Sequence, residues 1–223
     1  YTGYKFGIDA SMNTFRLFSR FMADNMESIP SSIIAEGLDV WSRDRGDEAM
    51  YCYGASAFSL ICGNREMAEK LLPSIEWCLA FCESRKGPEG VILSETDELE
   101  GRFPSGDANL NTSSLYYAGL VQTARLAAAL DKDDKAELYR TRAETLRSDI
   151  LRYFSGKIHG FDTFKYYKEN TTLRSWIVMP LCMGIYEKAQ GTVEAMLSPY
   201  LWTEDGLLSE EGTEVVWDRS TLY

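Results

Sequence analysis

The chain has 223 residues, 45% of them apolar and 26% charged, which is the composition of one folded domain and not of a disordered segment. Its 23 Lys and Arg stand against 34 Asp and Glu, and the net charge of −11 argues against nucleic-acid phosphates and anionic lipid as partners. No apolar run approaches the roughly 20 residues of a bilayer crossing, and a single histidine, His159, excludes a multi-histidine metal site, so neither metal nor cofactor is expected.

The first predicted helices cover residues 47–62 and 66–84, parted at Gly63-Asn64, with Pro73 expected to kink or restart the second. Gly90-Val91-Ile92-Leu93 suits a few residues of extended structure but lacks alternation over a useful length. A helix over 112–130 follows, with Asn111 or Thr112 as its N-cap and a charged turn, Asp131-Lys132-Asp133-Asp134, at its end. Residues 132–154 carry Ala136, Tyr139, Ala143, Leu146, Ile150 and Tyr153 in steps of three and four, one apolar stripe on one helix face. Lys157-Ile158-His159-Gly160 is another short extended stretch, and 171–190 reads as a helix bent at Pro180. The expected class is all-α. The cysteines, Cys52, Cys62, Cys78, Cys82 and Cys182, are odd in number and sit mostly within apolar helical pattern, so they read as core thiols.

A repeat emerges when the loops are compared. Four times a polar, aromatic-containing stretch opens toward a helix: Trp41-Ser42-Arg43-Asp44-Arg45-Gly46-Asp47, Asp107-Ala108-Asn109-Leu110-Asn111-Thr112, Tyr166-Tyr167-Lys168-Glu169-Asn170-Thr171, and Thr213 to Arg219. The first helix of each hairpin is apolar nearly all round and the second is amphipathic. Such layering predicts an inner ring of buried helices inside an outer ring, an α/α toroid with the polar loops at one end.

Trp41-Ser42-Arg43-Asp44, Asn109-Leu110-Asn111-Thr112-Ser113-Ser114-Leu115-Tyr116-Tyr117 and Val216-Trp217-Asp218-Arg219-Ser220 carry a resemblance to the six-hairpin (α/α)6 glycosidases, the relatives of glycogen-debranching, α-glucosidase and α-rhamnosidase type enzymes. The chain starts at Tyr1 without a Met and stops at Tyr223, so residues 1–223 read as a partial ring truncated at both ends, its open edge available for self-association. The resemblance implies a glycoside hydrolase acting on a carbohydrate substrate by inversion, with two carboxyl groups about 6.5–9.5 Å apart and no metal.

The loop Ser94-Glu95-Thr96-Asp97-Glu98-Leu99-Glu100 crowds four carboxylates into six positions, which raises the pKa of at least one of them, as a general acid at neutral pH requires. A solvated acidic loop is the alternative reading. The resembling families carry the general acid in an acidic loop just ahead of an inner helix, which implies Asp97 first, Glu98 second and Glu95 third. They place the base in a late hairpin beyond Tyr223, so the isolated chain is expected not to turn over; Glu210, Glu211, Glu214 and Asp218 are its last four carboxylates.

For substrate binding, helix-dipole complementation explains the acids of Arg43-Asp44-Arg45-Gly46-Asp47-Glu48 but not the arginines. Guanidinium forks beside carboxylates and an indole suit sugar hydroxyls and a sugar ring face, which makes Trp41, Arg43, Asp44 and Asp47 candidates. Glu169, Arg174 and Trp176, then Trp217, Asp218 and Arg219, repeat the recipe, although Trp176 alone reads as core packing. One of Tyr116 and Tyr117 is expected to face the cavity, with Tyr116 the candidate. The competing functions are a sugar isomerase or epimerase, disfavoured by the single histidine, and a non-catalytic repeat that binds a glycan or a protein.

Overall fold

A computed structural model describes residues 5–22, 28–30, 33–34, 37–38, 45–94, 96–97 and 103–213. These residues are mostly helical, with only short strands. The elements run α1 (Lys5–Ser19), the minimal hairpin β1 (Ile33–Ile34) and β2 (Gly37–Leu38), α2 (Asp47–Cys62), α3 (Arg65–Ser84), α4 (Leu110–Ala129) and α5 (Asp133–Phe154). Then come β3 (Ser155–Ile158), β4 (Phe161–Phe164), a 3₁₀ turn (Ser175–Val178), α6 (Met179–Cys182), α7 (Ala189–Met196) and the hairpin β5 (Trp202–Thr203) and β6 (Gly206–Leu207). Among the described residues no helix is long and apolar enough to cross a membrane.

α2 occupies the predicted span because Gly46 and Gly63, both left-handed, bound it. Gly46 has a second reason to be glycine, since a Cβ there would lie 2.7 Å from Thr112 Oγ1. That approach sets the start of α2 beside the first turn of α4. At the opposite ends of the same two helices, Arg65 donates from Nη2 to the Leu130 carbonyl (3.0 Å) and from Nη1 to Asp131 (2.9 Å). Midway, Ser56 and Thr123 hydroxyls meet at 2.9 Å, and Gly119 lets α4 close on Cys52, whose Sγ would stand 2.2 Å from an added Cβ. α2 and α4 therefore run parallel, side by side, buried around most of their surfaces.

α3 and α5 return antiparallel outside that pair and are joined by Glu76, which accepts from Tyr139 Oη at 2.9 Å and pairs with Lys135. α3 runs on through Pro73. The stripe predicted for α5 is buried at Ala136, Tyr139, Ala143, Leu146 and Ile150, whereas at the C-terminal end Phe154 takes the core position and Tyr153 is only half-buried. α4 begins earlier than its sequence signals indicate. Asn109, not Asn111 or Thr112, is the cap, its Oδ1 accepting from Thr112 N at 2.8 Å, and the Leu110 N–H is taken by the Tyr166 carbonyl at 2.8 Å.

Two expectations are corrected. Residues 171–190 do not form one bent helix: Arg174 bridges Glu210 in extended pairing, and a 3₁₀ turn leads into the one-turn α6, which Gly184 ends at φ +99°. Pro180 lies in the first turn of α6, where a missing N–H breaks no helical bond. Residues 157–160 belong to a full hairpin, β3 with β4, whose two-residue turn is His159-Gly160 with φ +52° and +86°, the twist-compatible form of such turns.

Cys52, Cys78 and Cys82 are core thiols as expected, and burial pushes the Cys52 and Cys78 thiols well above their ordinary range. Cys62 is half-buried and Cys182 exposed, which corrects the reading of all five as core. Iodoacetamide on the native protein is accordingly expected to label Cys182 and Cys62 before the other three, read by peptide mass spectrometry.

Candidate functional site

The N-terminal ends of α2 and α4 gather three loops. The Gly46 turn abuts Thr112, the Tyr166 carbonyl receives the Leu110 N–H, and Asn170 Oδ1 accepts from Tyr166 N at 3.3 Å. The acidic loop is rooted at the same place. Ser94 N donates to the Asp107 carbonyl (3.0 Å), and the Thr96 carbonyl accepts from Ser94 Oγ (2.8 Å) and from Asn109 Nδ2 (3.2 Å). Asn109 thus caps α4 with one end of its amide and fastens the acidic loop with the other.

Asp97 is 0% exposed. Its Oδ2 accepts from Tyr166 Oη at 2.8 Å, and the Tyr166 ring, also fully buried, packs edge-on against Trp176 with centroids 6.2 Å apart. Arg174, 1% exposed, stands over the same Tyr166 ring at 4.2 Å and over Phe103 at 4.9 Å. Its Nη1 donates to the Pro104 carbonyl at 2.6 Å, and its Nε lies 3.3 Å from Glu210 Oε2. Nη2 has no hydrogen-bond partner among the described residues. Glu210 is pushed above the ordinary carboxylate range by burial; the Arg174 charge opposes the shift and the Glu211 charge adds to it. A buried carboxylate and guanidinium are tolerable only when paired, and here the two are joined through one phenol, its hydroxyl on Asp97 and its face under Arg174.

Three sequence candidates, Asp97, Arg174 and Trp176, are brought together in this cluster. Its position corrects the first choice of acid. A carboxyl group enclosed on all sides and engaged by Tyr166 does not reach a substrate arriving from solvent, and the Asp97 side chain is not itself solvated. Tyr116 is corrected too: it is buried between α4 and α3, donating to Glu83 Oε2 at 2.9 Å, and Tyr117 is likewise buried, so neither faces a cavity. Trp176 is core packing. Asp47 is buried at the first turn of α2 with Arg45 Nε 3.9 Å away, where its charge complements the helix dipole. Glu169 is exposed beside Asn170. Trp41, Arg43, Asp44, Glu95, Glu98, Trp217, Asp218 and Arg219 lie outside the described residues.

Tyr166, Phe103 and Asn109 were not singled out as site residues by sequence, and Glu210 only as a late carboxylate. Nothing local marks Tyr166 as the partner of a carboxylate 69 positions earlier. His159 is engaged elsewhere, its Nε2 2.9 and 2.8 Å from the Glu211 carboxylate oxygens and its ring stacked on Tyr200 at 4.0 Å.

An open groove of about 530 Å³ adjoins the rooted loop, lined by Arg85, Glu89, Ser94, Asp107 and Tyr153 among others. A larger hollow of about 680 Å³, lined by Arg16, Arg20 and Lys70, lies where α3 begins, at the opposite end of the helices and away from the acidic loop. No group of three or more residues able to hold a metal ion occurs among the described residues. In comparisons with known proteins, no family model and no curated protein matches the chain.

Proposed function

We propose that the chain is a glycoside hydrolase module of the (α/α)6 toroid type, cleaving glycosidic bonds by carboxylate acid/base catalysis with inversion. The observation that carries this reading is the rooting of a four-carboxylate loop at the shared N-terminal end of two parallel buried helices, beside a groove that offers a phenol ring, a guanidinium and carboxylates. Parallel inner helices with outer returns are the unit from which a toroid is built, and the motif resemblance supplies the rest of the ring. In this reading Asp97 secures the loop, Glu98 protonates the leaving oxygen, with Glu95 as second candidate, and Trp41, Arg43, Asp44, Trp217, Asp218 and Arg219 bind the sugar.

The experiment is a panel of aryl glycosides offered to the full-length protein, with aryl release as the readout. Release from one or more members supports the hydrolase. The burial of Asp97 favours one second reading, a non-catalytic glycan-binding module. Saturable binding of an oligosaccharide with no release from any member of the panel would establish that reading instead. The epimerase reading has no comparable support, because the single histidine is tied to Glu211 and Tyr200.

A further inference from the structure

We propose that Tyr166 is the positioning residue of the acidic loop, its hydroxyl holding Asp97 as the buried anchor of that loop. The assignment of Glu95 and Glu98 to catalysis rests on the hydrolase reading; the anchor itself rests on geometry alone. Among the described residues, Tyr166 links Asp97, Arg174 and Trp176. Its Oη donates to Asp97 at 2.8 Å, its ring face receives Arg174 at 4.2 Å, and its ring meets Trp176. Its main chain is fixed independently, by Leu110 N on its carbonyl and Asn170 Oδ1 on its N–H. The hydroxyl is thus set relative to the α4 N-terminus without depending on the loop it holds.

A cation over a phenol ring draws density from it and makes the O–H a stronger donor, so Arg174 strengthens the bond to Asp97 without touching it. Arg174 is in turn held by Glu210 and by the carbonyl of Pro104, on the far side of the acidic loop from Asp97 in sequence. Both shoulders of the loop therefore end on one buried group of side chains. Such an anchor acts through position: it needs an acceptor at residue 97, and it does not need a titrating proton there.

The test uses Tyr166→Phe, which removes the hydroxyl and leaves the ring for Arg174 and Trp176, together with Asp97→Asn, which keeps an oxygen acceptor, and Asp97→Ala, which does not. Amide hydrogen exchange at residues 92–94, 96–97 and 103–107 is expected to quicken at least tenfold in Tyr166→Phe and Asp97→Ala, with exchange in α3 and α5 unchanged. Asp97→Asn should restore most of the protection. The double variant Tyr166→Phe/Asp97→Ala should be no faster than either single one, as coupled partners require. Wild-type exchange in Tyr166→Phe would overturn the anchor, as would full additivity in the double variant. Where the protein hydrolyses a glycoside, Asp97→Asn is expected to keep kcat within about tenfold of wild type, against the 10²–10⁴-fold loss that removal of a general acid brings. A loss of that size with loop protection intact would return the acid role to Asp97 and overturn the proposal. Absence of hydrolysis by the wild type would count against the hydrolase reading and leave the exchange result to decide the anchor.

Discussion

Replacing Arg174 with methionine is expected to lower the free energy of unfolding by about 3 kcal/mol at neutral pH, the lower end of the range for removing one partner of a buried ion pair. Methionine fills much of the space between Phe103 and Tyr166 but supplies no donor to the Pro104 carbonyl and no charge opposite Glu210. The pH dependence follows from Glu210, which burial already pushes above the ordinary carboxylate range while Arg174 holds it down. A raised pKa means that the folded protein binds this proton more tightly than the unfolded chain, so ionising Glu210 costs stability as pH rises. Without Arg174 the shift grows. The penalty of Arg174→Met should therefore be smaller in acid, where Glu210 is protonated in both states and only the lost donor to Pro104 remains, and full at neutral pH. Urea denaturation of the two proteins across that range checks both the size and the slope.

Glu98→Gln is expected to reduce kcat by about 10²–10⁴-fold on any aryl glycoside the protein cleaves, because the amide has the shape of the acid but no proton to give. KM should change little, since the substitution leaves the proposed sugar-binding residues in place. Substrates with good leaving groups, which need little protonation, should lose less than those with poor ones. A uniform loss across leaving groups would speak for a structural effect, and near-wild-type rates in both Glu98→Gln and Glu95→Gln would remove these two residues from the mechanism.

What the sequence made legible was local. The span of α2 was readable because glycines bound it, and most of the buried face of α5 because its apolar residues recur at helical spacing over more than four turns. The region after Thr171 misled because Pro180 and the apolar residues around it suit a helix, while the pairing of Leu173 to Ser175 with Ser209 to Glu211 is set by residues far along the chain. The β3–β4 hairpin was hidden by a turn pair, His159-Gly160, outside the usual Asn-Gly and Asp-Gly signals. The site shows the same division. The density of carboxylates in the acidic loop and the mixture of Arg174 with Trp176 stood out in sequence; that Asp97 turns inward onto Tyr166 is a tertiary fact with no local signature. Tyr116 failed for the opposite reason. A tyrosine near the start of a helix has the same sequence context whether it faces a cavity or, as here, the neighbouring helix α3.

The most direct test of the proposed chemistry is the anomeric configuration of the first product. When the full-length protein hydrolyses an aryl glycoside in a ¹H NMR tube, the sugar should first appear with its anomeric proton signal inverted relative to the substrate, and the other anomer should grow in only at the rate of mutarotation. Release with retained configuration would contradict a direct displacement by water, and would require a nucleophilic carboxylate in place of the general base.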